Sequence, residues 1–300
     1  MTGSGASVIG PYGHDYTHLC HRLSSLQGSE VVYVQIPGNA GDSIITTGTL
    51  AIFHRIGLNP RIGNSDRIYP NAHVVFAGGG NLVPYYGQTR NFIETNFDSL
   101  KSFTLLPSSV RGHEELLTRL DDRFEVHARE QNSYNHLLKH ATGARVCLSH
   151  DMAFANTFDR MGGMLDEIEL VRMARPGSRM HLRQSRAYAI WMLSRIKRWS
   201  DGMRLPSGGT VLNAYRTDKE RASGASHAGE STDISKLFSM NHDEVLFLTA
   251  LIAKRFVETI NRYDTVRTDR LHVAIAATML GKTVYVGDNS YGKIDRKSTR

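Results

Sequence analysis

Four short stretches hold the residues whose types and spacing could do chemistry. The first is Gly38–Asn39–Ala40–Gly41–Asp42, which follows the apolar run VVYVQI and precedes a helical pattern. Glycines let a backbone approach a ligand closely, and the amides at a helix start attract polar or anionic oxygens. Asp42 in that position suits either a helix N-cap or a general base. The second is Gly78–Gly79–Gly80–Asn81, after HVVFA. Three consecutive glycines cost conformational entropy and fit either a bend or close approach to a ligand. The third is Arg216 in AYRTDKE, which can fork onto a carboxylate or phosphate, or join Asp218, Lys219 and Glu220 in a surface ion-pair cluster. The fourth is Asp269–Arg270–Leu271–His272, which opens the apolar run VAIAATML. A guanidinium, an imidazole and the positive end of a helix dipole make an anion site with a titratable acid. The first stretch is neither GxGxxG nor a Walker loop, so no nucleotide cofactor is inferred. No metal-ligand cluster is visible either.

Each stretch follows a short β-type run. Strands are expected at Val31–Ile36, Val74–Ala77, Ser102–Leu106, Phe124–Ala128 and Arg145–Leu148, with helical segments between them. Beyond Gly162 the pattern breaks. It resumes at Thr210–Tyr215 and passes through a loop, Gly224–Thr232, and a helix, Asp243–Ile260. A short run at Thr265–Arg267, a helix at Leu271–Leu280 and a strand at Thr283–Val286 follow. Strands alternating with helices imply parallel βαβ units. The expected fold is therefore α/β: two Rossmann-like domains, 1–162 and 205–300, face a cleft and are joined by a helical connector, 163–204. In such sheets ligands bind past the carboxyl ends of the strands, where all four stretches fall.

Charge is unevenly placed. The 300 residues hold 36 Lys+Arg and 29 Asp+Glu, a formal net charge of +7. Residues 171–204 contain nine basic residues and one acid, Asp201, leaving 27 basic and 28 acidic residues over the other 266. A nucleic-acid track needs a wider basic surface and a recognisable module, and neither is present. Ala189, Met192, Leu193, Ile196 and Trp199 repeat at helical spacing, with Arg183, Arg186, Lys197 and Arg198 on much of the remaining surface. That pattern fits a helix packed on its own domain, and it also fits docking on an anionic membrane surface. Hydrophobic content of 40% is that of a globular protein. No run approaches a membrane span, and the first 20 residues lack the pattern of a signal peptide. With Cys20 and Cys147 far apart in the chain, a disulfide framework is excluded. The expected setting is a reducing, cytoplasmic one, with peripheral membrane contact as an option.

Taken together, GNAGD, FAGGGN, LPSSV, ARE with Ser133, HDMAF, RTDKE, TDRLH and DNSYGK resemble, in order, the motifs of the polysaccharide pyruvyl transferase family. The resemblance covers roughly residues 31–293. It implies two Rossmann-like domains arranged as in GT-B glycosyltransferases. It also implies transfer of the enolpyruvyl unit of phosphoenolpyruvate onto glycan hydroxyls as a pyruvate ketal. By the same resemblance Arg216, Arg270, Leu271 and His272 fall on the phosphoenolpyruvate site. Gly38, Asn39, Asp42, Gly79, Gly80 and Asn81 would face the acceptor. His272 is the expected general acid and Asp42 the expected base, with no cofactor beyond the donor substrate. Two further classes share the scaffold: a glycosyltransferase using a sugar nucleotide, and a non-catalytic glycan- or anion-binding protein. The chain departs from the family in its basic segment 163–204 and in the short polar ending IDRKSTR, where relatives commonly continue into a further packed segment.

Overall fold

The computed structural model describes residues 15–36, 38–158, 209–218, 231–237 and 246–287. The connector 163–204, most of the loop Gly224–Thr232 and the DNSYGK stretch lie outside the described residues. Those that are described fall into two compact units. Unit 1 takes its residues from Met1–Ile36 and Gly48–Asn156, and unit 2 from Pro37–Thr47 and Thr157–Arg300.

The apolar runs of the first half become parallel strands. Unit 1 contains α1 (Thr17–Ser24), β1 (Val31–Val34), the later part of α2 (Ala40–Arg55), β2 (Arg61–Gly63), β3 (His73–Phe76) and β4 (Gly79–Leu82). It continues with α3 (Gln88–Asn96), β5 (Ser102–Val110), α4 (Glu114–Arg119), β6 (Phe124–Ala128), α5 (Gln131–His140) and β7 (Arg145–Leu148). The strand order is β2-β1-β3-β5-β6-β7, with β4 added on β5, and every pairing is parallel. All residues of β1, β5 and β6 are buried; β1 accordingly reads as an unbroken apolar run, while β5 and β6 also bury polar residues, among them Thr104, Glu125 and His127. Phe76, Phe92, Phe103 and Phe124 form a chain of ring contacts through the core, with centroids 4.8 Å apart for Phe76–Phe92 and 5.6 Å for Phe103–Phe124.

Three local expectations change. The strand expected to stop at Leu106 runs through Pro107 to Val110. The proline is accommodated because the pairing of β5 with β6 shifts register between Leu105 and Ser108. The triple glycine, read from the sequence as a bend or a close approach to a ligand, places its last two residues at the start of β4, with Gly79 at φ 122°, a conformation that favours glycine. The helical pattern after Gly38–Asp42, which the sequence places at Ser43–Ile56, starts at Ala40, for a capping reason given below.

Unit 2 contains β8 (Gly209–Ala214), α6 (Ile234–Leu237), α7 (Leu246–Asn261), β9 (Tyr263–Thr268), α8 (Leu271–Met279) and β10 (Thr283–Val286). Its sheet has the order β10-β9-β8, all parallel, with Ala214 opposite Thr268 in the register of β8 and β9. The helix α8 buries Val273–Ala277 and Met279. It closes with the Gly281 amide donating to Thr278 and the Lys282 amide to Ala277. Both units are mixed α/β structures on parallel sheets, as expected of Rossmann-like folds. No helix among the described residues is long and apolar enough to cross a membrane.

Candidate active site

The register of β8 and β9 builds the site. Ala214 and Thr268 are partners at the ends of neighbouring parallel strands, so the residues two positions further on, Arg216 and Arg270, leave the sheet side by side. The junction is tied at the backbone. The Thr268 hydroxyl donates to the Ala214 carbonyl at 2.6 Å and accepts from the Arg270 amide at 2.9 Å. The Arg216 amide donates to Asp269 Oδ1 at 2.8 Å. Burial pushes the Asp269 carboxyl above the usual carboxylate range, and the Arg216 amide pulls the other way.

Both guanidiniums are buried and converge on one carboxylate. Arg216 Nε donates to Asp218 Oδ1 at 2.8 Å, and Arg270 Nη2 lies 2.8 Å from Asp218 Oδ2. Arg270 also forks onto Asp233, with Nε donating to Oδ1 at 3.0 Å and Nη2 to Oδ2. Asp233 Oδ2 further accepts from the Thr217 amide at 2.9 Å and the Thr217 hydroxyl at 3.2 Å. The two aspartates differ in exposure, 4% for the Asp233 side chain against 21% for that of Asp218. Asp233 is thus the fixed anchor that aims Arg270, and Asp218 the partner nearer solvent.

Two residues past Arg270, His272 sits half-buried in the first turn of α8. Its ring meets the stretch Gly38–Asp42, whose residues belong to the same unit. A β-carbon added to Gly41 would overlap His272 Nδ1, so only glycine permits this approach. The stretch is shaped by a reciprocal cap on α2. Asn39 Oδ1 accepts from the Gly41 amide at 2.8 Å, and Asp42 Oδ2 accepts from the Asn39 amide at 2.9 Å. This is a capping box built from Asn and Asp, and it explains why α2 starts at Ala40.

Gly38, Asn39 and Asp42 thus belong to the same unit as Arg216, Arg270, Leu271 and His272, and Gly41 between them is in contact with His272. Gly79, Gly80 and Asn81 are on β4 of unit 1. Sequence reasoning missed Asp233. An aspartate ahead of a four-residue helix looks like an ordinary cap, and its partner Arg270 lies 37 positions away. Other motif residues of unit 1 hold strand ends together. Arg129 donates to Asp151 Oδ2 at 2.8 Å and to the Ser109 hydroxyl at 3.0 Å, and Ser133 Oγ accepts from the Val110 amide at 2.7 Å.

Comparison with known proteins places the chain in a family. The family model described as polysaccharide pyruvyl transferase matches residues 39–291. A Bacillus subtilis (strain 168) protein named "Putative pyruvyl transferase EpsO" is 28% identical over 307 aligned positions, covering 93% of this chain and 89% of that protein. The crystal structure of an uncharacterized protein from Klebsiella pneumoniae superposes with a TM-score of 0.68 at 25% identity, covering 92% of this chain and 90% of that one. With two strand-end arginines, a helix-start histidine and a capped glycine loop all inside a match that spans most of its length, the chain belongs to the polysaccharide pyruvyl transferase family.

Proposed function

We propose that this protein moves the enolpyruvyl unit of phosphoenolpyruvate onto hydroxyls of a glycan or lipid-linked oligosaccharide, forming a pyruvate ketal and releasing phosphate. One observation carries the donor assignment: Arg216 and Arg270, from adjacent strand ends, already hold a carboxylate, that of Asp218, between them. Phosphoenolpyruvate brings a carboxylate and a phosphate. When Asp218 turns outward, towards the solvent it partly faces, the donor's anionic groups take over its hydrogen bonds. The start of α8 adds backbone amides and a favourable dipole end, and Leu271 lies between the two polar site residues of that turn.

The chemistry then needs one acid and one base. His272, as imidazolium, delivers a proton to the methylene carbon C3 while an acceptor hydroxyl attacks C2. Asp42 takes the hydroxyl proton. Phosphate then leaves C2 with the bonding electrons of the C–O bond and takes up the proton held by Asp42; a second hydroxyl of the same sugar attacks C2, gives its proton to the now neutral His272 and closes the ketal. The net change is one phosphoenolpyruvate and one diol converted into one ketal and one phosphate. On this reading Gly38 and Asn39 in unit 2, and Gly79, Gly80 and Asn81 in unit 1, serve the acceptor, each within its own unit.

Thermal denaturation with phosphoenolpyruvate tests the donor. At a hundred times its dissociation constant a ligand adds about 2.7 kcal/mol, which is a readily measured rise in Tm. A rise with phosphoenolpyruvate and none with nucleoside diphosphate sugars supports the reading, and the reverse pattern assigns a glycosyltransferase. The basic stretch 171–204 lies outside the described residues. On sequence grounds we assign it to docking on an anionic membrane face. Reversing the charges of Arg183, Arg186, Lys197 and Arg198 then weakens binding to anionic vesicles and leaves donor binding intact; unchanged vesicle binding rejects this assignment.

A further inference from the structure

The sequence showed no metal-ligand cluster because its members are scattered over 130 positions. The fold of unit 1 gathers them. Glu125 and His127 are two apart on β6 and so face the same side of the sheet, and His127 pairs with Cys147 in the register of β6 and β7. The helix α1 adds His18. The four ligand atoms, two imidazole nitrogens, a carboxylate oxygen and a thiol sulfur, all lie within 4.8 Å of one another. Two pairs are already close: Cys147 Sγ is 3.7 Å from His18 Nδ1, and His127 Nε2 is 2.8 Å from Glu125 Oε1. The edges of a zinc tetrahedron with such ligands are about 3.3–3.8 Å, so modest side-chain shifts complete the geometry.

From this arrangement we infer that His18, Glu125, His127 and Cys147 form a zinc site that fastens α1 to strands β6 and β7. The donor set is one that zinc favours, with borderline nitrogen, hard oxygen and soft sulfur, and one thiolate plus one carboxylate neutralise the ion's charge. On binding, the Zn–S bond replaces the thiol S–H bond and the proton leaves to solvent. The surrounding shell also fits. His127 is fully buried and its second nitrogen, Nδ1, is 2.8 Å from the Ser149 hydroxyl, which fixes the ring with Nε2 towards the centre. Arg22 and Arg145 approach Glu125 through Oε2, at 3.5 and 3.8 Å, leaving Oε1 directed at the site. They hold the carboxylate rather than compete for the oxygen the metal would use. A second group, Glu114, His136 and His140, offers no thiolate, and its carboxylate is 52% exposed.

The test is uptake of metal by the full chain after treatment with a chelator and its removal. Titration with Co²⁺ alone is expected to saturate at one ion per chain, with the intense absorption of tetrahedral cobalt and a thiolate-to-cobalt charge-transfer band. Cys147→Ser removes the charge-transfer band. His18→Ala, on an exposed helix position that leaves the core untouched, weakens Zn²⁺ affinity at least tenfold and reduces the Zn²⁺-induced rise in Tm accordingly. His136→Ala changes neither. The inference is overturned if the chelated wild-type chain takes up no stoichiometric Zn²⁺ or Co²⁺ at micromolar concentration. It is equally overturned if His136→Ala, and not His18→Ala, removes the binding.

Discussion

The imidazole of His272 occupies the space that a side chain on Gly41 would fill. The helix start that presents the expected acid and the loop that presents the expected base are thereby held in contact. Gly41→Ala places its β-carbon 2.4 Å from His272 Nδ1, so the ring must move aside by about 1 Å to reach ordinary contact. Misplacement of a catalytic group by about 1 Å costs on the order of a hundredfold in rate. The expected result is a kcat lowered about a hundredfold, with phosphoenolpyruvate binding and melting temperature near those of the parent. Steady-state kinetics with a binding isotherm check it, and an unchanged kcat would remove His272 from the reaction.

The arginine pair makes a separate prediction, in which Arg→Ala is the wrong probe. Arg270→Ala leaves the buried Asp233 carboxylate without its fork, and breaking a buried pair costs about 3–5 kcal/mol. Loss of binding would then be confused with loss of fold. Arg216→Lys and Arg270→Lys keep the charge and lose the bidentate geometry. Each is expected to weaken phosphoenolpyruvate binding at least tenfold, measured by calorimetry, while the chain still melts cooperatively. Parental affinity in both variants would contradict the donor assignment.

Asp218 is expected to act in the opposite sense. It occupies the two guanidiniums assigned above to the donor, so on that assignment Asp218→Asn removes a competing negative charge. The variant should bind phosphoenolpyruvate more tightly and melt at a lower temperature in its absence. Weaker binding would mean that Asp218 contacts the donor directly instead of yielding to it.

A pH prediction concerns unit 1. Burial holds the His73 imidazole below its usual value, with Lys101 and Arg22 adding to the shift, and its Nδ1 is 2.7 Å from the Ser102 hydroxyl. The folded protein therefore binds this proton less readily than the unfolded chain. Its contribution to stability is complete above the unfolded value of about 6.5 and is lost as pH falls through the depressed folded value. His73→Asn keeps a hydrogen-bonding group and removes the titration. Melting temperatures between pH 5 and 7 should fall less steeply on acidification in the variant, and identical slopes would contradict the assignment.

Local grammar made much of this legible. Short apolar strands and the glycine or arginine just after each followed from the sequence, because parallel βαβ units place chemistry at strand ends. What stayed hidden depends on register and on distant pairing. Nothing near Arg270 announces Asp233, and nothing near Cys147 announces His18. Those partnerships exist only once β8 lies beside β9 and α1 covers β6 and β7. Asp42 was open between cap and base, and the structure gives it the capping bond to Asn39; its part in catalysis is a matter for kinetics.

The charge on 171–204 and the acceptor's identity bear on where the enzyme works, and the central claim concerns what it transfers. The most direct measurement is incubation with phosphoenolpyruvate and a glycan acceptor in heavy water, followed by mass spectrometry of the glycan and assay of released phosphate. The account predicts a glycan heavier by one pyruvate less water, with one solvent deuteron in the new methyl group and one phosphate per ketal. It also predicts loss of all three signals in His272→Gln. A glycan that remains unmodified while the wild-type chain binds phosphoenolpyruvate, or a ketal formed at the parental rate by His272→Gln, would contradict it.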